Sequence, residues 1–250
     1  MKLLRLLYEG KERYGKMEGG EVRLLRGNPF AKLREDEGRL GLSQARLLAP
    51  VLPGKALCIG LNYRDHAKEF DLPIPTSPVV FIKPPSALLA PGAEIIRPAQ
   101  SRRVDFEAEL VVVIGRRAKD VPAKKAFDYI LGYTCGNDVT ARDLQPKDGQ
   151  WTVAKSFDTF MPLGPWIETE LDPSNLAVSA YLNGEKKQSS NTVNLIFGVP
   201  ELVEFLSSVM TLEPGDLIMT GTPSGVGPMN SGDEIAVEIQ GIGRLVNKVR

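Results

Sequence analysis

Three acidic residues alternate with apolar ones in the stretch VDFEAELVVVIG, residues 104–115. They are Asp105, Glu107 and Glu109. Because successive side chains of a β-strand point to opposite faces, this spacing predicts that the three carboxylates share one face. Neighbouring carboxylates repel each other, and a carboxylate without a partner is costly to bury. The pattern therefore requires a counter-charge.

A divalent cation is the simplest common partner for the carboxylates of Glu107 and Glu109. A ligand set made only of oxygen favours a hard ion, Mg²⁺ or Mn²⁺ with Ca²⁺ also possible, over zinc or copper. The alternative is an edge strand whose acidic face lies in water. Asp105 is interpreted as an outer, structural acid that caps a turn or pairs with Arg102 or Arg103.

A second acidic segment, GYTCGNDVTARD (residues 132–143), follows a predicted strand. Its Asp138 would complete a site of three carboxylates with Glu107 and Glu109, since ligand sites often lie where strands end. Such a site leaves positions open for water or substrate, as Lewis-acid catalysis requires. The alternative is structural, with an Asx-turn at Asp138 and a helix cap at Asp143.

His66 is the only histidine of the chain and lies in the segment YRDHAKEF. If this segment is helical, His66 and Glu69 are three residues apart on one face and can touch. A carboxylate that accepts one ring N–H fixes the tautomer and leaves the other nitrogen as a base. The alternative is a surface histidine within a solvated run of charges.

Two further segments offer groups that bind anions. Lys155 lies in the apolar run WTVAKSFDTF and could contact a substrate carboxylate or a developing enolate oxygen. The alternative is that the aliphatic part of Lys155 packs against apolar residues while its ammonium group lies in water. Residues 219–228, MTGTPSGVGP, form a glycine-rich loop that lacks the GK[ST] of phosphate loops. Its N–H groups and Thr222 could bind a carboxylate, and the alternative is a tight turn.

The elements that must position these residues are mostly strands. Residues 1–48 are predicted as short strands separated by Gly-rich turns. Asn183-Gly184 predicts a hairpin. Further strands are predicted at VVFIKP, EIIRP, EAELVVVIG, YILGYTCGND, MPLGPWIE, AVSAYLNGE, DLIMTGTP and EIAVEIQGIGRLVNKV, and helices at YRDHAKEF, VPAKKAFDYI and VPELVEFLSSVM. The predicted fold class is therefore mixed α+β and mostly β.

Composition excludes several classes of partner. The chain has 250 residues, with 31 Lys+Arg balanced by 31 Asp+Glu, so electrostatics gives no reason to expect nucleic acid or a membrane as partner. We find neither a signal peptide nor the run of about 18 apolar residues that spans a membrane. Cys58 and Cys135 are far apart in sequence and are predicted to be reduced, buried thiols of a cytoplasmic protein.

Taken together, these segments resemble the fumarylacetoacetate hydrolase family over about residues 55–250. The resemblance is carried, in chain order, by GLNYRDHAKE, FIKPPSAL, DFEAEL, GNDVTARDLQ, QWTVAKSFDTFMPLGP, LNGEKKQ and LEPGDLIMTGTPSGVGP. It implies a β-roll catalytic domain over residues 53–250, a small N-terminal β domain over residues 1–52, and a homodimer.

The resemblance also implies roles for individual residues. Glu107, Glu109 and Asp138 would be the ligands of Mg²⁺ or Mn²⁺, His66, Glu69 and Lys155 would be catalytic, and Arg142, Gln145 and Thr222 would line the substrate pocket. The hydrolase that names the family has a fourth acidic ligand a few residues before its histidine, where this chain has CIGLNY. That hydrolase is also much longer, so the smaller bacterial-type relatives are the better match.

The smaller relatives share one physical mechanism. A 2-oxo acid binds the ion through a carboxylate oxygen and the 2-oxo oxygen, and an enolate is stabilised when a bond at C3 breaks. Breaking C–H gives isomerisation, and breaking C–carboxylate gives decarboxylation. The expected function is therefore a metal-dependent isomerase or decarboxylase of a hydroxy-dienoic or 2-oxo diacid, of the 2-hydroxyhepta-2,4-diene-1,7-dioate type, in aromatic-compound degradation.

Two alternatives to this function are open. Breaking a C–acyl bond with water, activated by His66 and Glu69, would give an acylpyruvate-type C–C hydrolase, and oxaloacetate decarboxylation would use the same site. The more remote alternative is a non-catalytic protein of the same fold that binds a metal or metabolite.

Overall fold

The computed structural model describes residues 1–69, 71, 73–147 and 149–250. Strands form most of the regular structure, which confirms the prediction of a mostly β fold. None of the helices in the described ranges combines the length and the apolar character that a membrane span requires. Cys58 and Cys135 are buried free thiols, as predicted.

The fold contains twenty strands, three α-helices and short 3₁₀ turns in the described ranges. The strands of the first half are β1 Lys2–Tyr8, β2 Lys11–Glu18, β3 Glu21–Asn28, β4 Lys32–Gly41, β5 Arg46–Leu47, β6 Ala56–Gly60, β7 Val79–Lys83, β8 Leu88–Leu89, β9 Glu94–Ile95, β10 Val104–Phe106 and β11 Ala108–Ile114. Those of the second half are β12 Ile130–Asn137, β13 Thr140–Ala141, β14 Met161–Glu168, β15 Ala177–Leu182, β16 Glu185–Asn191, β17 Leu217–Met219, β18 Gly227–Met229, β19 Glu234–Ile239 and β20 Gly243–Val249. The helices are α1 Arg64–Glu69, α2 Thr152–Lys155 and α3 Val199–Val209.

The strands form three sheets. The largest has the order β4-β3-β2-β1-β14-β12-β11-β17-β6-β7, with β5 on β1 and β8 on β14. A five-stranded sheet has the order β16-β15-β19-β20-β9, and a three-stranded sheet has the order β13-β10-β18. Most pairs are antiparallel, but β6 runs parallel to β17, with Leu217 opposite Ala56.

Strands β1 to β4 form an antiparallel meander that joins the large sheet where β1 pairs with β14. The meander has a small apolar cluster of its own, which includes Leu4, Leu6 and Val22. Strands were predicted over residues 1–48. The division into an N-terminal domain, residues 1–52, and a catalytic domain, residues 53–250, stays a prediction.

Strand β11 lies at the centre of the core, because all seven of its residues are buried. Its Leu110 and Val112 pack in the main apolar cluster with β15 and β19, whereas Val111 and Val113 pack in a second cluster on the other face. A strand buried on both faces has no solvated side. Acidic residues at its start are therefore placed in the interior rather than at the surface.

The predicted turns and helices agree with the structure in most places. Asn183 and Gly184 both have positive φ, at 51° and 81°, and join β15 to β16 in the predicted hairpin. Helix α3 begins with a proline in its first turn and buries Leu202 and Leu206. The segment VPAKKAFDYI forms a 3₁₀ helix over Ala123–Tyr129 instead of an α-helix. Phe70, the last residue of the helix predicted around His66, lies outside the described residues.

Candidate metal centre and active site

The chain leaves one sheet and enters another at Glu107. Strand β10 of the three-stranded sheet ends one residue before it, and β11 of the large sheet begins one residue after it. Side-chain amides bind the backbone here: Glu107 N donates to Asn137 Oδ1 and Ala108 N donates to Gln188 Oε1, both at 2.9 Å. Asp138 N donates to the carbonyl of Glu107, also at 2.9 Å. These bonds hold the backbone in place at the break, where the chain passes from β10 to β11, and they thereby fix the direction of the acidic side chains.

Three carboxylates converge at this break. Glu107, Glu109 and Asp138 are 5%, 1% and 1% exposed, and each offers an oxygen within 4.8 Å of the others. The alternative of an acidic face in water is therefore wrong. Three buried carboxylates form the all-oxygen donor set that a hard dication prefers, so the residues present fit Mg²⁺ or Mn²⁺.

Two buried lysines compensate the carboxylates. Lys155 Nζ donates to Glu107 Oε2 at 2.8 Å and to Asp138 Oδ2 at 2.6 Å. Lys83 Nζ donates to the other oxygen of Asp138 at 2.5 Å and to the carbonyl of Val139 at 3.1 Å. Lys155 is 2% exposed, so the alternative in which its ammonium reaches water is wrong.

An arginine pair compensates the remaining acid. Asp105 is fully buried and accepts from Arg103 Nε and Arg142 Nε, each at 2.9 Å. Arg142 also donates to Glu107 Oε1 at 2.5 Å and to Gln145 Oε1 at 2.6 Å. Arg142 and Gln145, both expected in the substrate pocket, therefore contact each other, and Arg142 also contacts the carboxylate centre.

The counter-charge that the sequence pattern requires is thus supplied largely by lysine and arginine side chains of the protein itself. In the described part of the chain, the cluster joins four carboxylates to four cationic groups: Asp105, Glu107, Glu109 and Asp138 with Lys83, Arg103, Arg142 and Lys155. The cluster is therefore close to neutral by itself. A bound dication would make it positive, which suits an anionic ligand.

The cationic side chains compensate Glu107 and Glu109 to different degrees. Burial alone would raise the pKa of Glu107, but the nearby charges of Lys155 and Arg142 outweigh it and lower this pKa well below its ordinary range. Burial, followed by repulsion from Asp138 and Glu107, raises the pKa of Glu109 well above its ordinary value. Glu109 accepts one backbone bond, from Gly221 N at 2.8 Å. Of the three acids, Glu109 is the one that most needs an added cation.

Lys155 keeps its charge in spite of its burial. Burial lowers the pKa of Lys155, but the charges of Asp138 and Glu107 reverse this and raise the pKa to about 12. At neutral pH the side chain is therefore an ammonium, which can attract an anion but cannot accept a proton.

Helix α1 brings the histidine to the same region. His66 Nδ1 lies 3.1 Å from Glu69 Oε2, and the two oxygens of Glu69 accept from Gly225 N at 3.1 and 3.2 Å. His66 is 8% exposed, so the alternative of a surface histidine is wrong. An electrostatic interaction with His66 is among the causes that lower the pKa of Glu107, which places the two residues near each other.

The glycine-rich loop after β17 closes another side of the site. Gly221 has φ +102°, and a Cβ there would lie 2.8 Å from Asn62 Cβ, so the loop needs glycine at this position. The next residue, Thr222, is buried, and its Oγ1 accepts from Gln188 Nε2 at 2.9 Å. The loop thus contacts both Glu109 and a buried amide.

A sequence model described as fumarylacetoacetate (FAA) hydrolase C-terminal matches residues 55–250, and a second model, Rv2993c-like, N-terminal, matches residues 1–50. The first match spans most of the chain. The chain belongs to the fumarylacetoacetate hydrolase family.

Solved structures and sequence relatives of this family agree with the assignment. 2-Hydroxyhepta-2,4-diene-1,7-dioate isomerase from Mycobacterium marinum is 45% identical with a TM-score of 0.93, covering 100% of this chain and 98% of the isomerase. Maleylpyruvate hydrolase from Sphingobium sp. SYK-6, solved with manganese (II) ion and pyruvate, is 31% identical with a TM-score of 0.83 and covers 100% and 98%. Mitochondrial oxaloacetate tautomerase Fahd2a of Rattus norvegicus is 43% identical over 83% of this chain and 70% of the tautomerase.

Sequence reasoning missed several groups of the site in this fumarylacetoacetate hydrolase family member. Lys83 ends the apolar strand VVFIK, and a charged residue at the end of such a strand was a signal for a buried anion. Asn137 and Gln188 gave no such signal, because amides are ordinary strand-end and hairpin residues. Tyr63 is fully buried, and its hydroxyl has no hydrogen-bond partner among the described residues.

Proposed function

We propose that the protein is a divalent-metal-dependent enzyme that isomerises a hydroxy-dienoic or 2-oxo diacid by moving a proton at C3. One observation carries the proposal: a buried, internally compensated cluster of three carboxylates lies beside the histidine and glutamate of α1. Isomerisation is preferred to decarboxylation because an isomerase and a tautomerase are among the similar proteins. A place in aromatic-compound degradation stays a prediction.

Glu107, Glu109 and Asp138 would bind Mg²⁺ or Mn²⁺ through their carboxylate oxygens. When bound, the ion would supply a Lewis acid that stabilises negative charge on the 2-oxo oxygen. The hydrogen bonds from Lys83, Lys155 and other donors occupy one lone pair of each oxygen they reach, and a carboxylate oxygen has a second. The donors therefore orient the ligands without using up their capacity.

His66 would act as the base. Glu69 Oε2 lies at hydrogen-bond distance from Nδ1, which favours the tautomer with the proton on Nδ1 and the lone pair on Nε2. With a 2-oxo acid, Nε2 would take a proton from C3 and return it to the far end of the conjugated system or to the enol oxygen. With a hydroxy-dienoic acid, Nε2 would take the proton of the 2-hydroxyl and deliver it to carbon. The proton is conserved, so the product has the mass of the substrate.

Cationic side chains would bind the charges of the diacid. Lys155 remains an ammonium at neutral pH, because the pKa is raised to about 12, and would attract an enolate or carboxylate oxygen. Arg142 and Gln145 are joined to each other and would present their remaining donors to a carboxylate. A protein that only binds a metal or metabolite would not need a histidine and glutamate pair beside these groups.

Isotope transfer and mass test the reaction. The metal-free protein would be given Mn²⁺ in D₂O with 2-hydroxyhepta-2,4-diene-1,7-dioate or oxaloacetate, against a control with Mn²⁺ and no protein. The proposal requires an unchanged carbon skeleton with deuterium gained at carbon, faster than in the control. Loss of CO₂ would show a decarboxylase, and gain of water would show a C–C hydrolase; either result contradicts the proposal.

The metal requirement is tested by Glu107→Ala, with the exposed Glu185→Ala as control. We expect Glu107→Ala to abolish both Mn²⁺ binding, measured by calorimetry, and turnover, and Glu185→Ala to retain both. Unchanged turnover in Glu107→Ala would overturn the metal-dependent mechanism. Metal binding without any turnover in the unaltered protein would favour the non-catalytic alternative.

We further propose, as the family resemblance implies, that the protein is a homodimer. Its other binding partner would be a small-molecule substrate. Light scattering after size exclusion checks this: a mass of twice the 27.3 kDa chain is expected, and a mass of 27.3 kDa contradicts it.

A further inference from the structure

A glutamine is buried where the surrounding strand is exposed. Gln188 lies in β16, the edge strand of the five-stranded sheet, and is fully buried. Its six strand neighbours in Glu185–Asn191 are exposed or half-buried. An uncharged amide is costly to bury unless its donors and acceptor all find partners. The position therefore has a reason other than the packing of the sheet.

The amide of Gln188 makes three hydrogen bonds that fix its orientation. Its Oε1 accepts from Ala108 N at 2.9 Å, and its Nε2 donates to the carbonyl of Pro223 at 2.8 Å and to Thr222 Oγ1 at 2.9 Å. A backbone N–H can only donate and a carbonyl can only accept, so exchanging the amide oxygen and nitrogen would lose both backbone bonds. The direction of each bond is therefore unambiguous.

This direction decides what the hydroxyl of Thr222 can do. Because Nε2 has no lone pair to offer, Thr222 Oγ1 must accept from it, and the hydroxyl keeps its own proton for another acceptor. The described residues supply no hydrogen bond in which this hydroxyl is the donor. Thr222 directly follows Gly221, whose N–H donates to Glu109, so the hydroxyl lies on the loop that contacts the carboxylate centre.

We propose that Gln188 is a positioning residue that makes the Thr222 hydroxyl a hydrogen-bond donor to the anionic ligand of the metal centre. The same amide holds Ala108 N, between Glu107 and Glu109, so it sets the donor relative to two carboxylates of the site. A donor next to the centre distinguishes an anionic oxygen of the substrate from a neutral one. This inference rests on the proposed function, because it assumes that an anion binds there.

The pair Gln188→Glu and Thr222→Val tests the inference. A glutamate keeps an oxygen for Ala108 N but cannot donate to Thr222, so the hydroxyl would turn its proton toward the glutamate. The probes are Mn²⁺ alone and then oxalate, a planar dianion, each measured by calorimetry. We expect Gln188→Glu to weaken oxalate binding about 10- to 100-fold, the range for a hydrogen bond to a charged group. Because Gln188 also holds Ala108 N between two of the proposed ligands, Mn²⁺ affinity is measured first, and oxalate binding is compared at Mn²⁺ concentrations that saturate each variant.

The double variant separates positioning from other effects. In the Thr222→Val background there is no hydroxyl to orient, so adding Gln188→Glu should change oxalate affinity less than about 2-fold. An equal loss in both backgrounds would mean that the new charge repels oxalate directly, and it would overturn the inference. An unchanged oxalate affinity in Gln188→Glu alone would overturn it as well.

Gln188→Met covers the case in which a buried glutamate prevents folding. It is uncharged and similar in size, and it should weaken oxalate binding in the parent background but not in Thr222→Val. A loss of the same size in both backgrounds contradicts the inference here too. If the unaltered protein with Mn²⁺ does not bind oxalate, the proposed function fails instead; if it binds and the variants show no coupling, only the role of Gln188 fails.

Discussion

The two halves of the site are built in opposite ways. The carboxylate centre lies at the start of β11 and the end of β12, and its acids are at most 5% exposed. The base lies on α1, a helix of six residues that is too short to be stable alone. In α1, Glu69 has a side chain that is 34% exposed and is bound by the backbone of Gly225.

The difference follows from what each half does. Binding an ion and stabilising an enolate require charges that are fixed before the substrate arrives, because reorientation during the reaction would cost free energy. Moving a proton and admitting a substrate require a group that can withdraw. A buried centre and a base on a separate, short helix would satisfy both requirements. Variants of the centre should therefore change stability and metal affinity, whereas variants of α1 should change turnover.

The largest effect is expected for Asp138→Asn in metal-free protein. Asp138 is the shared anion of two buried ammonium groups, Lys83 and Lys155, and removing one partner of a buried ion pair costs about 3–5 kcal/mol. Urea unfolding in EDTA measures the loss. Glu69→Gln in α1 is the matched control and should stay within about 0.5 kcal/mol. Equal losses in the two variants would remove the distinction between the halves.

The sequence predicts much of the fold and of the site where the signal is local. Alternating acids in residues 104–115 and the Asn183-Gly184 turn depend on near neighbours, and the structure agrees with both. The helical periodicity of Val199–Val209 is a local signal as well. Strand β4 lies within the residues 1–48 predicted as strands, but its sequence, KLREDEGRLG, is highly charged and only one of its residues is buried, so alternation does not mark its bounds.

The remainder could not be predicted because it depends on contacts between distant residues. Lys83 reaches Asp138 across 55 positions, and Gln188 reaches Ala108 across 80. The break between β10 and β11 has no turn residue to mark it. Asp143 was considered as a helix cap, but it accepts from Ser101 Oγ at 2.6 Å instead.

The second prediction concerns the base. His66→Asn should lower kcat about 100- to 10,000-fold, the usual contribution of a general base. Mn²⁺ affinity and the urea midpoint should change far less than kcat, since the hydrogen bonds to Glu107 come from Arg142 and Lys155 rather than from His66. Steady-state kinetics and calorimetry on the same preparation check this. A parallel loss of metal affinity would show that α1 belongs to the carboxylate centre.

The third prediction separates two acids of the carboxylate centre by pH. A carboxyl with a raised pKa, such as Glu109, stabilises the fold at acidic pH, and the contribution is lost as the pH rises through its folded-state pKa. Glu107 has a lowered pKa and the opposite sign: its contribution is present above the unfolded value of 4.5 and is lost as the pH falls below it.

Metal-free protein should therefore lose stability because of Glu109 as the pH rises above the unfolded value of 4.5 toward the raised folded-state pKa. Glu109→Gln resembles the protonated carboxyl and should reduce this loss, so that the variant is more stable than the parent at the upper end. Glu107→Gln should not reduce it. Urea midpoints in EDTA across this range measure both, and a steeper pH dependence in Glu109→Gln would contradict the sign.

The smallest effect is expected at the attachment of α1. Asp65 accepts from His66 N at 2.8 Å and from Ser190 Oγ at 2.5 Å, which ties the start of the helix to β16. Ser190→Ala removes the hydrogen bond to Asp65 and also the one that Asn194 Nδ2 donates to Ser190 Oγ at 3.1 Å. The loss of the tie between β16 and Asp65 should cost about 1 kcal/mol in holding the helix against a bound substrate. KM should rise a few-fold with kcat nearly unchanged. Ser189→Ala, on the exposed face of the same strand, is the control. If kcat falls while KM is constant, the serine aligns the base rather than supporting substrate binding, and α1 behaves like the fixed half of the site.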